Sequence, residues 1–423
     1  MVFIIRDIMA TMAHHLLAKT TTDEILNNFK TGSWTYGASG HGTNFLRTGT
    51  PADFPSPDAA FYDSVNKELA YFEFKPETET KRGILTGVGQ GIAYLEKCNL
   101  SFLIAPKLLA GYDLESYLTD LYTHQLSAIP TGLIIYDNAN PKNVRLVKNV
   151  TSLVGTAATP RTVTVERFWA KHQDLPIPLF HLILHYYYLK KVNHIGGDPF
   201  EILYTTKLVP PSVLTTFAAV PVQDVSGVNI KTLSGRKDIK HFEKRINSYL
   251  RLPAASKPAE LARMQAQIDP RTPGDTNYSA IRKNYLSFVK QMQMIDSAGE
   301  LTERGLAMYH LGLVNGPTSK LFTDYFIKEV LTTGHHLDVL LDFDQMRRRM
   351  PTAPISNLLS SMEADYATRG FIKTNPGRVA GTTSTVGFLK YEQILWKNIG
   401  LMDADHNVQW RRITEVCSLP DLL

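Results

Sequence analysis

Two carboxylates and one ammonium flank a polar turn early in the chain. Asp58 precedes the turn, and Glu73 and Lys75 follow it; β-forming residues on both sides indicate a hairpin turning at about Val65 and Asn66. In that register the numbers of paired residues add to 131, so Asp58 lies opposite Glu73. Lys75 shares the face of Glu73 because side chains alternate along a strand. Paired carboxylates bind a hard divalent cation, and an adjacent ammonium orients or deprotonates a bound water, so the pattern predicts metal-assisted hydrolysis.

A helix predicted over residues 81–97 adds two polar side chains to this region. Its apolar residues recur at helical spacing: Ile84, Leu85, Val88, Ile92 and Leu95. Gln90 and Tyr94 share one face of this helix, because residues four apart are neighbours. Three glycines in the same stretch lower its helix propensity: Gly87, Gly89 and Gly91.

Taken together, Pro57-Asp58, the ExK run at 73–75 and the QxxxY run at 90–94 resemble the PD-(D/E)xK nuclease superfamily, in its QxxxY-containing branch. The resemblance covers roughly residues 20–140. It implies phosphodiester hydrolysis with Mg²⁺, in which Asp58 and Glu73 bind the metal and Lys75 activates the water. It also implies that Gln90 and Tyr94 act near the metal-bound water and the scissile phosphate.

Many members of this superfamily use a further acid on a helix before the hairpin. Glu24 is the candidate for that role here, with Asp23 as its rival. An acid in the first turn of a helix also interacts favourably with the helix dipole, which is the ordinary explanation for Glu24. Asp63 is a rival to Asp58, but its expected partner is Glu68 at the turn, far from Glu73.

The surrounding pattern predicts a mixed α/β core. The predicted elements are, in order, a helix over 20–30 capped by a threonine run, a loop over 32–57, the hairpin, the helix over 81–97, a strand over 99–107, a helix over 113–124 and a strand over 131–138. We therefore expect an α/β nuclease core, a mixed sheet flanked by helices, over residues 1–160.

The rest of the chain has a mainly helical pattern. We predict a helical connector over 161–227, a basic winged-helix-like domain over 228–318 and a C-terminal winged-helix-like domain over 319–423. Two similar units within this part, at 284–312 and about 323–414, carry the winged-helix pattern.

The C-terminal domain carries the candidate DNA-binding residues. Its basic run fits phosphate contacts, which position a protein without reading sequence. A following helix, with apolar Leu358 and Met362 on one face, offers short polar side chains on the other, and a hairpin-like wing adds two cations. The candidates are Arg347, Arg348, Arg349, Ser356, Asn357, Ser360, Lys373 and Arg378. The alternative is a helical protein–protein module.

Charge is concentrated in one part of the 423-residue chain, whose formal net charge is +5. Residues 1–160 hold 13 Lys and Arg against 15 Asp and Glu, whereas residues 231–290 hold 13 against 5. Such a basic segment fits a phosphate-rich partner, although a solvated helical face is equally consistent with it.

Two cysteines exclude a disulfide framework, and no apolar run has the length of a membrane helix, so a cytoplasmic location is expected.

These features predict a Mg²⁺-dependent, sequence-specific endonuclease of restriction type that acts on double-stranded DNA. A homodimer is expected, at least during cleavage, because one site per chain has to cut two strands. The alternatives are a repair or phage-type exonuclease, which QxxxY favours, and a non-catalytic winged-helix DNA-binding regulator.

Overall fold

A computed structural model describes residues 2–37, 41–51, 55–154, 168–372 and 388–421, with side chains described from residue 16 onward. The chain forms two compact units: Met1–Trp169 with His335–Phe388, and Ala170–Gly334 with Leu389–Leu423. We call them the first and second unit. The coarse prediction of an α/β core followed by helical structure is confirmed.

The described strands are β1 (Phe45–Thr48), β2 (Ala59–Asp63), β3 (Glu68–Phe74), β4 (Leu100–Pro106), β5 (Leu108–Leu109), β6 (Tyr112–Asp113), β7 (Thr131–Tyr136) and β8 (Val144–Lys148). The described α-helices are α1 (Val2–Lys30), α2 (Lys81–Ala93), α3 (Leu114–Asp120), α4 (Ile177–Lys191), α5 (Pro199–Leu203), α6 (Val213–Thr216), α7 (Glu243–Leu250), α8 (Lys257–Ile268), α9 (Asn277–Gln291), α10 (Glu303–Asn315), α11 (Lys320–Leu331), α12 (His336–Arg349), α13 (Ile355–Thr368), α14 (Lys390–Asn398) and α15 (Trp410–Cys417).

A six-stranded mixed sheet organises the first unit, in the order β1-β2-β3-β4-β7-β8. The first three strands run antiparallel, β3, β4 and β7 run parallel, and β8 returns antiparallel. Every residue of β4 and β7 is buried, as expected of central parallel strands. Helix α2 packs Ile84 and Val88 against this core, together with Leu103 and Leu133.

The hairpin register is the predicted one. Ala59 pairs with Phe72 and Asp63 pairs with Glu68, so partner numbers add to 131. Asp63 is therefore held at the turn, where its carboxylate accepts hydrogen bonds from the backbone N–H groups of Val65 and Asn66, both at 3.0 Å. This residue stabilises the turn and lies away from Glu73.

Three predictions about the N-terminal part were wrong in detail. The first helix begins at Val2, so the threonines at 20–22 do not cap it; Thr21 and Thr22 instead donate to carbonyls four residues earlier. The predicted loop over 32–57 contains β1, an edge strand of only four residues. Strand β8 was also missed, because its charged residues hide the apolar alternation.

The predicted boundary at residue 319 differs from the observed division, because α12 and α13 belong to the first unit. A set of ion pairs, which we call the ion-pair cluster, joins these helices to α1 and β1. Its members are Lys19, Asp23, Arg47, Asp338, Asp342, Asp365 and Arg369. Arg47 also donates its backbone N–H to the carbonyl of Gly370 at 3.0 Å. Such contacts between distant residues leave no signal in a single sequence.

The second unit is helical. Helix α4 packs against α5 and α10, and nearly all of its residues from Leu179 to Leu184 are buried. Among the described residues, single bridges join the segments between α9 and α10 (Ile295–Leu301) and between α14 and α15 (Met402–Val408), and two bridges lie between α6 and α7. The module predicted over 323–414 is therefore divided between the two units. Within the described chain no helix has both the length and the apolarity needed to cross a membrane.

Candidate active site

The ends of β2 and β3 bring the two predicted carboxylates together. The register continues from the Ala59–Phe72 pair, so Asp58 lies opposite Glu73. Asp58 is exposed and accepts a hydrogen bond from the backbone N–H of Phe74 at 2.7 Å, whereas Glu73 is only 3% exposed. Phe74 points to the other side of the strand and stacks on Tyr136. At the end of β3 one face therefore carries Glu73, whereas Phe74 packs in the core on the other face.

Lys75 connects the hairpin to α2. Its Nζ lies 2.8 Å from Oε1 of Glu73 and donates to Oε1 of Gln90 at 3.2 Å. The ammonium is thus held between a carboxylate and an amide oxygen, 13% exposed. We call Asp58, Glu73, Lys75 and Gln90 the carboxylate–lysine cluster. The structure brings these four predicted residues together.

Tyr94 contacts this cluster through the carboxylate of Glu73. Its hydroxyl donates to Oε2 of Glu73 and also contacts the carbonyl oxygen of Ser56 at 3.1 Å. The side chain is fully buried, so its hydroxyl reaches Glu73 and not the surface. The expected role of Tyr94 near the metal-bound water and the scissile phosphate stays a prediction. Tyr94 acts as a positioning residue for Glu73.

Close packing between α2 and the sheet explains one of the three glycines of this helix, Gly87. A Cβ on Gly87 would lie 2.6 Å from Cε of Lys75, which is too close for a real side chain. Gly91 faces two buried hydroxyls: Ser101 donates to the Gly91 carbonyl at 2.6 Å, and its oxygen lies 3.2 Å from the Thr131 hydroxyl. The absence of a side chain at Gly87 leaves room for the Lys75 side chain beside α2, where it reaches Gln90.

Burial and charge both act on Glu73. Burial raises the pKa of Glu73, and the neighbouring Asp58 carboxylate raises it further, while Lys75 and Tyr94 oppose this; the result is a pKa of about 7. Burial and the adjacent Glu73 also raise the pKa of Tyr94 above its usual range, so its hydroxyl remains a hydrogen-bond donor. A carboxyl group that titrates near neutrality beside a second carboxylate is typical of functional sites.

The donor set fits Mg²⁺. Repulsion between Asp58 and Glu73 is the kind of strain that a divalent cation relieves, and both residues offer carboxylate oxygens. Among the residues whose placement is described, no group of three or more His, Cys, Asp or Glu side chains could hold a metal. Two carboxylates suffice for Mg²⁺, because this ion keeps several of its waters.

Glu24 lies elsewhere in the first unit. It lines a cavity of about 590 Å³ between α1, α12 and α13, and none of the carboxylate–lysine cluster lines this cavity. Its rival Asp23 is engaged by Lys19 at 2.6 Å and by Arg369. Neither acid joins the predicted site. The misplacement follows from the helix start at Val2, which moves both residues from a first turn to the middle of α1.

The candidate DNA-binding residues fall into three groups. Ser356, Asn357 and Ser360 are exposed on α13, opposite buried Leu358 and Met362, as predicted. In the basic run, Arg347 is half-buried, Arg348 is exposed and lies 2.9 Å from Asp344, and Arg349 lines the same cavity as Glu24. Lys373 and Arg378 lie outside the described residues.

The supporting residues were not found from the sequence. Ser56, Ser101 and Thr131 are single hydroxyl residues with no motif around them, and their role depends on strand order. The glycine spacing on α2 was the one usable signal, since Gly87 and Gly91 lie four residues apart on the face that packs on the sheet.

No protein-family model matches the chain, and no curated protein matches it significantly.

Proposed function

We propose that the chain is a Mg²⁺-dependent nuclease that hydrolyses phosphodiester bonds in double-stranded DNA. The observation that carries the proposal is the contact of Lys75 with both Glu73 and Gln90, beside a second carboxylate, Asp58. This set contains the carboxylate oxygens of two acids and an ammonium that lies within hydrogen-bonding distance of one of those acids and of an amide. Hydrolysis of a phosphodiester needs those groups, because charge builds up on the phosphoryl oxygens and on the leaving oxygen.

Each residue has a distinct task. Asp58 and Glu73 would hold Mg²⁺, which when bound polarises the phosphate and lowers the pKa of a coordinated water. Lys75 orients the attacking water and offsets negative charge on the phosphate. Gln90 fixes the direction of the Lys75 ammonium, and Tyr94 fixes the Glu73 carboxylate.

The finer form of the proposal is a sequence-specific endonuclease of restriction type. It combines the nuclease core with winged-helix-like reading modules, and it forms a homodimer when it cuts both strands. Helices α12 and α13 with their exposed polar face support a reading module in the first unit. A cytoplasmic location completes the proposal and fits two free, buried cysteines, Cys98 and Cys417.

The test is the product pattern from circular and linear DNA. The purified full chain is incubated with a closed circular plasmid and with the same plasmid linearised, each with Mg²⁺ and with EDTA. Discrete fragments from the circle, absent with EDTA, support the restriction-type endonuclease. Degradation that requires a free end supports the exonuclease that the QxxxY run favours, and binding without cleavage of either form supports a non-catalytic regulator.

A further inference from the structure

The excess positive charge of the chain is concentrated in one short stretch of the second unit. Residues 231–251 hold seven Lys and Arg and two Asp and Glu, a net charge of +5 that equals the formal net charge of the whole chain. The stretch consists of a hairpin-like turn followed by α7. It is anchored by Ile239, Phe242 and Ile246, which all belong to the hydrophobic core of the second unit.

The turn presents two cations. A bridge joins Lys231 to Asp238, and the Thr232 N–H donates to the Lys237 carbonyl at 2.7 Å, so the backbone at the tip is fixed. Arg236 and Lys237 are exposed there. Asp238 is engaged by the side-chain amide of Asn229 at 3.2 Å. The tip therefore exposes positive charge on a defined turn.

Helix α7 presents a second polar surface. Lys244, Asn247, Ser248 and Arg251 recur at spacings of three and four residues, which puts them on one face, and all four are exposed. The opposite face is buried through Tyr249 and Ile246. Within the part of the chain that the structure describes, neither Lys244 nor Arg251 forms an ion pair with a carboxylate. We call the α7 face together with Arg236 and Lys237 the α7 surface.

We propose that the α7 surface binds the backbone of double-stranded DNA, an inference that rests on the proposed nuclease function. Arg251 lies seven positions after Lys244, which corresponds to a distance of about 10 Å along the helix axis. This is close to the roughly 12 Å width of the major groove, so the two cations reach phosphates on either side of it. Asn247 and Ser248 then lie between them, where short hydrogen-bonding side chains approach base edges.

The exposed face of α13 is a weaker candidate for binding DNA, because it lacks an excess of unpaired positive charge. Residues 341–372 hold four Lys and Arg and four Asp and Glu, which leaves no net charge. Arg348 is paired with Asp344, and Arg369 with Asp365. Release of counterions from phosphates supplies most of non-specific DNA affinity, and it requires cations that are available to phosphates. The α7 surface meets that requirement.

The experiment measures equilibrium binding of the full chain to a short DNA duplex in EDTA, over a series of salt concentrations. The Lys244→Ala/Arg251→Ala double variant is compared with Arg263→Ala/Arg271→Ala. The control removes the same charge from the same basic segment, but its arginines are paired with Glu260 and Asp269. We expect the α7 variant to bind about tenfold more weakly and to lose about two units of the slope of log affinity against log salt. The control is expected to bind as wild type.

Equal binding by the two double variants would overturn the proposal, as would an RNA duplex that competes as well as DNA of the same sequence. Circular dichroism confirms that both variants are folded, which is expected because all four altered side chains are exposed. If wild type binds DNA through the α7 surface but does not cut, the nuclease function fails and the binding surface stands. If wild type cuts and the α7 variant binds unchanged, only the binding surface fails.

Discussion

The first unit contains two clusters of charged side chains that differ in how many cations contact each carboxylate. In the ion-pair cluster, Lys19 lies within 3.1 Å of both Asp23 and Asp342, and its pKa stays raised although burial acts to lower it, because those carboxylates outweigh burial. In the carboxylate–lysine cluster the carboxyl of Glu73 is buried beside a second acid, and its pKa rises to about 7. The pKa of Asp342 in the ion-pair cluster is also raised by burial, so the direction of a pKa shift does not separate the two clusters. Among the described residues Asp23 contacts three cations, Lys19, Arg47 and Arg369, whereas Glu73 contacts one, Lys75. The number of cations around a carboxylate therefore distinguishes the cluster that joins elements of the first unit from the one that we propose binds a metal.

The largest expected effect is on chemistry. Lys75→Ala removes the ammonium between Glu73 and Gln90, and we expect the single-turnover rate of duplex cleavage with Mg²⁺ to fall by at least about 10³-fold. DNA affinity is expected to stay close to wild type. Lys107→Ala, at an exposed lysine that follows β4, is the matched control and should cut normally. An equal loss of binding and cleavage in Lys75→Ala would remove the proposed role of this lysine.

Replacing a residue of the ion-pair cluster is expected to lower the free energy of unfolding. Arg47→Met removes a 5% exposed cation that lies 3.4 Å from both Asp23 and Asp338, so the buried carboxylate of Asp338 loses its arginine partner while Asp23 keeps Lys19 and Arg369. The expected loss is about 3 kcal/mol in the free energy of unfolding, measured by urea denaturation. Arg348→Met, which breaks the pair of a 74% exposed arginine with Asp344, should cost less than about 1 kcal/mol. Equal losses in the two variants would contradict a structural role for the cluster.

Glu73 is expected to weaken the fold at alkaline pH. Its folded pKa of about 7 is above the ordinary value of 4.5, so the folded state binds this proton more tightly than the unfolded state. The stability it contributes is present below pH 4.5 and is lost as pH rises to about 7. Glu73→Gln should therefore be more stable than wild type at pH 8, by at most about 3 kcal/mol, and the gain should shrink at pH 5. Glu96→Gln, at an exposed glutamate, is the control. A Glu73→Gln variant that is less stable than wild type at pH 8 would show that the carboxylate is compensated after all.

Helix packing gives the smallest effect. Gly87→Ala puts a Cβ 2.6 Å from Cε of Lys75, so the lysine has to shift, and we expect the cleavage rate to fall by about tenfold. Gly89→Ala on the same helix meets open space. This control should cut normally and gain roughly 0.5–1 kcal/mol of stability from higher helix propensity. Similar rates for the two variants would mean that the spacing between α2 and the sheet does not orient Lys75.

The same contrast explains what the sequence predicted and what it missed. Asp58, Glu73, Lys75 and Gln90 were selected through the resemblance of the PD, ExK and QxxxY runs to a nuclease superfamily. Local rules, namely strand alternation, hairpin register and helical spacing, then sufficed to predict that these residues lie together. The ion-pair cluster joins residues about 300 positions apart, such as Arg47 and Asp338, and no local rule connects them. For that reason residues 335–388 were assigned to a domain separate from the first unit. Glu24 was misplaced for a different reason, since α1 begins at Val2 and Glu24 does not lie in a first turn. Short charged strands such as β8 were missed because periodicity is weak over five residues.

The cleavage rate of Glu73→Ala tests the central claim most directly. Wild type and variant, matched for folded fraction by circular dichroism, are incubated with plasmid DNA and Mg²⁺, and product is compared with an EDTA blank. The carboxylate–lysine cluster as a metal-dependent hydrolytic site predicts that wild type cuts and that the variant gives no product above the blank. Cleavage by Glu73→Ala at the wild-type rate would contradict it.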